Sequence, residues 1–155
     1  MKPIVYTALF ADRDTPLPEV GELAPPISSA EGATYIAFTN REDITSSFWD
    51  VRYVELRESS PRVDARYYKL HSHKLLGPHD YSIWMDHQFR FKKPPHQIIE
   101  KYLLETGADI ALHHHGDLNS LAMEAALQCW EHHNDDPSII MEQMVRYGNA
   151  GFPML

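Results

Sequence analysis

Residues 4–10 (IVYTALF) form an unbroken apolar run rich in strand formers. A short run without polar alternation predicts a buried strand. Pro16, Pro18, Gly21, Pro25 and Pro26 follow, and they predict a loop that cannot be helical throughout. Residues 33–39 (ATYIAFT) predict a second strand and residues 51–56 (VRYVEL) a third. Pro61 suits the first turn of a helix, which the pattern carries to about Leu75. Gly77 to Asp80 (GPHD) make a turn before a further strand, YSIWM, and a short polar strand is expected over residues 88–91 (QFRF). Pro94 and Pro95 open another helix, with Gly107 as its cap. Residues 109–115 (DIALHHH) read as a strand, residues 118–133 as a helix, and a last helix runs from Pro137 to near Gly148. Strands alternating with helices predict an α/β fold, a single domain over residues 1–155 with a mostly parallel central sheet flanked by helices.

Within the first helix, Arg62, Arg66, Lys69 and His73 are spaced by four, three and four residues, which places them in one stripe. Val63, Tyr67 and Leu70 form the adjacent apolar stripe expected to dock on the sheet. A row of cations is compensated by a diphosphate through charge-assisted hydrogen bonds. It also reads as a solvated helix face paired with nearby acids, a common arrangement.

Asp86 stands where the strand YSIWM should end. Ligands of open α/β sheets bind beyond the carboxyl ends of the strands. A carboxylate there suits a hard cation, Mg²⁺ or Mn²⁺, which takes one or two carboxylates together with phosphate oxygens. Gln88 could add a carbonyl oxygen and His87 a nitrogen. An exposed turn aspartate is the alternative.

His113, His114 and His115 follow the apolar DIAL. In an extended chain His113 and His115 share a face, a spacing that can bind zinc, yet no recognised zinc pattern supplies a third ligand. A zinc hydrolase centred on this run is therefore a third-ranked reading. No HExxH, GxSxG, GxxxxGK[ST] or GxGxxG pattern is present. Cys129, the single cysteine, lies within a helical pattern and reads as packed rather than nucleophilic.

Composition narrows these options. A chain of 155 residues with 43% hydrophobic and 23% charged residues has the profile of a soluble globular domain. Its net charge of -8 argues against nonspecific binding to nucleic acid or an anionic membrane. One cysteine permits no intrachain disulfide. No run reaches the length of a transmembrane helix, and the first residues do not read as a signal peptide. A cytoplasmic domain is the resulting expectation.

Several separated segments then converge. VYTALF, YIAFTN, SFWDVRYVE, PRVDARYYKLHSHKLL, YSIWMD, DDPSIIMEQMVRY and the terminal GFP occur in this order. Together they resemble a glycosyltransferase-like family, long listed as a domain of unknown function, whose members include plant Golgi proteins linked to pectin and mucilage. The resemblance implies a GT-A-like (Rossmann-like) nucleotide-sugar transferase, C-terminally shortened. It implies that Thr7, Ala8 and Phe10 line the nucleoside pocket and that Asn40 lies at the second strand's end. Arg66, Lys69 and Lys74 would face the diphosphate, and Asp86, with Gln88, would hold Mn²⁺ or Mg²⁺ in place of a DxD-type motif. His115, Gln143 and Tyr147 match the family's later polar positions. Lys74 lies about a third of a turn off the basic stripe.

This chain departs from that pattern in three ways. The acid motif reads DHQ, with one carboxylate. Leu118 and Ala122 stand where relatives carry Arg and Tyr, and the sequence ends just after GFP, where relatives continue. The expectation is a natural short form, or a fragment, or a site whose missing part a second copy or another chain supplies. The expected activity is transfer of a sugar from a nucleotide-sugar donor to an unidentified acceptor hydroxyl, with Asp117 and Glu124 as candidate bases. A non-catalytic module that binds nucleotide sugar is the second reading.

Overall fold

The computed structural model describes residues 2–11, 32–57, 60–113, 120, 123, 125–126 and 136–152. They fall into two compact units, Met1–Ala111 and Leu112–Leu155.

The first unit is built on a four-stranded sheet. β1 (Ile4–Leu9), β2 (Thr34–Thr39), β3 (Asp50–Tyr53) and β4 (Ser82–Trp84) lie in the order β3-β2-β1-β4. Every pairing is parallel, with Ile4 opposite both Thr34 and Ser82, and Ile36 opposite Asp50. The unbroken apolar character of β1 and β2 follows from this arrangement, because central parallel strands are buried on both faces. On one face Val5 and Leu9 pack with Tyr35, Ala37, Ile44, Trp49 and Met85. On the other, Ile4, Tyr6 and Ala8 pack with Ile36, Phe38, Tyr68 and Leu76.

Helix α1 (Pro61–Leu70) covers the second face. Pro61 occupies its first turn, as expected. The docking stripe differs from the one the sequence suggested. Val63 is 48% exposed and Leu70 71%, whereas Asp64 (1%) and Tyr68 (6%) are buried. Tyr68 meets Phe38 at 4.7 Å and Phe10 at 5.2 Å between ring centres, so one aromatic takes the place of an aliphatic row. Asp64 is buried because its Oδ2 accepts the backbone N–H of Arg57 at 2.7 Å, which pins the segment after β3 to the helix.

The helix also stops earlier than the pattern predicts. His71 leaves helical geometry (φ −111°, ψ 31°), and α2 (Ser72–Leu75) resumes beyond it. Both the backbone N–H of His71 and its Nδ1 turn to the Tyr67 carbonyl, at 3.1 and 2.9 Å. The imidazole stacks on Tyr67 at 4.2 Å, and the Arg57 guanidinium lies 3.7 Å from the same ring centre. The Tyr67 ring thus takes both groups at the break. His73 therefore lies beyond the break, and the continuous four-residue basic row is cut to Arg62, Arg66 and Lys69.

Other expected elements are altered. Residues 88–91 form no strand, since Phe89 N–H bonds the Asp86 carbonyl at 2.9 Å in a turn that returns Phe91 to the first core face. The helix opened by Pro95 runs as α3 (Pro95–Ile99) and then widens into a π-helical turn (Glu100–Leu104) closed by Gly107 at φ +66°. Residues 109–113 are not a strand, and Ile110 is exposed. The expected helix over 118–133 lies almost wholly outside the described residues.

In the second unit, α4 (Pro137–Asn149) begins at Asp136, whose Oδ1 accepts the Ser138 N–H at 2.8 Å. It ends in a Schellman closure. Phe152 N–H reaches the Tyr147 carbonyl at 3.1 Å, Gly151 supplies φ +79°, and the Phe152 and Tyr147 rings meet at 5.6 Å. Among the described residues no helix is long and apolar enough to cross a membrane.

Tyr68→Ala is expected to lower unfolding stability by about 3 kcal/mol, and Leu70→Ala to change it by less than about 0.5 kcal/mol. Urea denaturation checks both, and a larger loss at Leu70 would contradict the observed helix face. Burial raises the hydroxyl pKa of Tyr6, Tyr35 and Tyr68 above 10.0. The folded state thus disfavours phenolate relative to the unfolded chain. Stability from these groups is complete below pH 10.0 and falls as pH rises above it. Denaturation midpoints measured against pH, with phenolate absorbance followed in parallel, test the sign.

Candidate functional site

Parallel pairing sends the carboxyl ends of all four strands to one edge of the sheet. From β1 the order steps outward to β2 and β3, and β4 returns to the other side of β1. The reversal lies between β1 and β4, which is where open α/β sheets form their ligand crevice. Phe10 and Ala11 leave β1 there, and Met85 and Asp86 leave β4. The ladder continues one step beyond β4, with Met85 N–H bonded to the Tyr6 carbonyl at 3.0 Å. Asp86 is thus the first residue free of the sheet, and it is exposed.

Its carboxylate is nonetheless held. Trp84 Nε1 donates to Asp86 Oδ1 at 2.8 Å. Residues two apart on a strand share a side, which brings the indole and the acid together. The indole is fixed in turn by the edge of Tyr6, with ring centres 5.2 Å apart and planes at 73°. Tyr6 donates its hydroxyl to the Lys69 carbonyl at 2.8 Å, tying the last turn of α1 to β1. Burial holds the Tyr6 hydroxyl above its ordinary pKa, so at neutral pH it remains a proton donor. Lys69 Nζ lies 5.5 Å from the centre of the Trp84 ring, within cation–π range. One cation and one carboxylate therefore address the same indole, from α1 and from the end of β4.

Asn40, just past β2, has its side chain on the end of β1. Its Nδ2 donates to the Ala11 carbonyl at 2.7 Å, and its Oδ1 accepts the Ala11 N–H at 3.1 Å. The amide extends the β1–β2 ladder beyond the backbone pairs and sets where Phe10 and Ala11 leave the sheet.

The other expected residues are distributed more widely. Thr7 and Ala8 are buried on opposite faces of β1, and the Thr7 hydroxyl meets no hydrogen-bond partner among the described residues. Phe10 is half-buried against Tyr68. Arg66 is exposed on α1, Lys74 is exposed on α2 beyond the break, and Gln88 is exposed in the turn after Asp86. The His87 carbonyl accepts from Arg90 Nη1 at 2.9 Å. Gln143 and Tyr147 belong to the second unit, where Gln143 Nε2 donates to the Tyr147 hydroxyl at 2.6 Å. His115, Asp117 and Glu124 lie outside the described residues, and of the histidine run only His113 is described. Tyr6 and Trp84 were not among the expected site residues. The two-residue spacing of Trp84 and Asp86 on a strand was the available signal for the second of them.

The donor set bears on which metal would suit it. Among the described residues no group of three or more His, Cys, Asp or Glu side chains could hold an ion. An all-protein cage such as structural zinc requires is not formed by these residues. A single exposed carboxylate fits Mg²⁺ or Mn²⁺, which take few protein ligands and complete their shell with water and phosphate oxygens. A cavity of about 600 Å³ lies at the opposite edge, lined by Lys2, Ile4, Thr34, Pro78, His79 and Asp80. A second, of about 380 Å³, lies between Tyr81 and the π-helical turn. Neither is lined by Asp86 or Lys69.

The family model described as TOD1/MUCI70, glycosyltransferase-like domain, matches residues 38–154, and the chain belongs to this family. The match begins within β2 and includes α1, β4 and Asp86; β1 precedes it. No curated protein matches the chain, and no solved structure does.

Asn40→Ala should leave the Ala11 N–H and carbonyl without their partner and cost roughly 1–3 kcal/mol. Denaturant unfolding measures the loss, and an unchanged midpoint would show that the clamp carries no weight.

Proposed function

We propose that the carboxyl edge between β1 and β4 binds the diphosphate of a nucleotide-sugar donor through a divalent cation, and that the sugar passes to an acceptor hydroxyl. The observation that carries this reading is the exposed Asp86 carboxylate, held by Trp84 at the reversal of strand order with Lys69 over the same indole. Membership in a glycosyltransferase-like family supports the donor class.

Asp86 and Gln88 are the residues that would hold Mg²⁺ or Mn²⁺, one by a carboxylate and the other by an amide oxygen. When bound, the cation supplies Lewis acidity toward charge that develops on the departing nucleoside diphosphate. Lys69 contributes a positive charge from α1, and Arg66, three residues earlier on the same helix, a second one. Phe10 and Ala11, the latter held by Asn40, leave β1 at the same carboxyl edge. The contribution of these groups to rate is positioning and electrostatics.

The DHQ motif offers one carboxylate where two are usual in such motifs, and this favours a second reading, a module that binds donor without transfer. Both readings require the donor site, and product formation separates them.

Uridine and guanosine diphosphate sugars, titrated by calorimetry with and without Mn²⁺, test the site. Binding that requires Mn²⁺ is expected for at least one of them. Asp86→Asn should abolish that binding and leave the melting temperature close to wild type. Metal-independent affinity, or full affinity in Asp86→Asn, would sink the reading. Release of free sugar or its transfer to an added acceptor then marks an enzyme, and stable donor binding with neither marks a binding module.

A further inference from the structure

We infer that Trp84 is a positioning residue for the Asp86 carboxylate and sets the affinity of the divalent-cation site; this rests on the donor-site reading above. Asp86 is exposed and follows the last ladder hydrogen bond, so its backbone alone leaves the side chain several rotamers. An indole N–H is a donor only, and the 2.8 Å bond to Oδ1 selects one carboxylate orientation. A carboxylate has two acceptor oxygens, and this bond leaves Oδ2 available to a cation.

The donor itself is held by three elements. β4 supplies the Trp84 backbone, and β1 supplies the Tyr6 edge against the ring. Helix α1 supplies Lys69, whose carbonyl is bonded by Tyr6 and whose ammonium lies over the indole. A hydrogen bond at an exposed site adds little to stability, because water competes for both partners. Its consequence lies in pre-orientation. Groups that hold a metal ligand typically change metal affinity by about 10–100-fold when removed.

Trp84 also carries its own readout, since paramagnetic Mn²⁺ quenches a nearby indole and diamagnetic Mg²⁺ does not. The experiment uses the full chain with uridine diphosphate as the probe. Free Mn²⁺ is followed by electron paramagnetic resonance in wild type, Trp84→Phe and Asp86→Asn. Phe keeps a ring against Tyr6 and removes the N–H. The expected result is a loss of Mn²⁺ affinity of at least about tenfold in Trp84→Phe. Its melting temperature in chelator should match that of wild type, and part of the Mn²⁺-induced fluorescence quench should disappear with the indole. A merely structural role would lower the metal-free melting temperature along with the Mn²⁺ affinity.

Wild-type Mn²⁺ affinity in Trp84→Phe overturns the positioning role and leaves the donor reading standing. Absence of Mn²⁺ binding in the wild-type protein overturns the donor reading and this inference with it. Should Trp84→Phe fail to fold, the Trp84 indole N–H resonance of the wild-type protein replaces it. A shift on adding Mg²⁺ with uridine diphosphate that Asp86→Asn eliminates supports the role, and an unmoved resonance overturns it.

Discussion

The parallel pairing of β1 with both β2 and β4 is the constraint on which the first unit depends. It buries β1 on two faces and makes its sequence apolar at nearly every position. It also directs the carboxyl ends of all the strands to one edge. Polar chemistry excluded from the strands is thereby collected where the ladder stops. The reversal of strand order lies beside β1, the position at which open α/β sheets bind ligands. Asp86 follows the end of the β1–β4 ladder and Ala11 the end of the β1–β2 ladder.

Beyond the ladder, side chains continue the work of backbone pairing. Asn40 bonds both polar groups of Ala11, and Trp84 bonds Asp86. Tyr6 connects the second of these to α1, since it meets the Trp84 ring and donates to the Lys69 carbonyl. A buried tyrosine that faces the helix thus positions a lysine and a tryptophan at once. This one residue touches both the helix and the indole that bonds the Asp86 carboxylate. The chain belongs to a glycosyltransferase-like family, and the donor site proposed above lies at this edge.

Local pattern was a good guide wherever one physical effect dominated. The apolar runs at β1 and β2 permitted only buried strands. Pro61 and Pro95 opened helices where their missing N–H groups cost nothing, and Gly107 closed one at positive φ. The pattern misled where tertiary partners outweighed periodicity. The row of Val63, Tyr67 and Leu70 suggested a docking stripe, yet Tyr68 had larger aromatic partners in Phe38 and Phe10. At the break the His71 imidazole stacks on Tyr67, which also meets the Arg57 guanidinium from outside the helix, a contact that helical spacing does not encode. The polar run at 88–91 looked extended, but the bond from Phe89 to the Asp86 carbonyl turned it back toward the core.

By itself, the order of residues determined the α/β class, the buried central strands, the helix starts and the place of Asp86 just past a strand. Each of these follows from local hydrophobicity or backbone sterics, which act within a few residues. Only the tertiary structure decided which face of α1 is buried, where that helix ends, and that Tyr6, Lys69, Trp84 and Asp86 form one connected group. These depend on contacts between residues far apart in the chain, such as Tyr6 with Lys69, 63 positions on, and with Trp84, further still. Such contacts arise from competition among packing partners, and no single segment contains both sides of it.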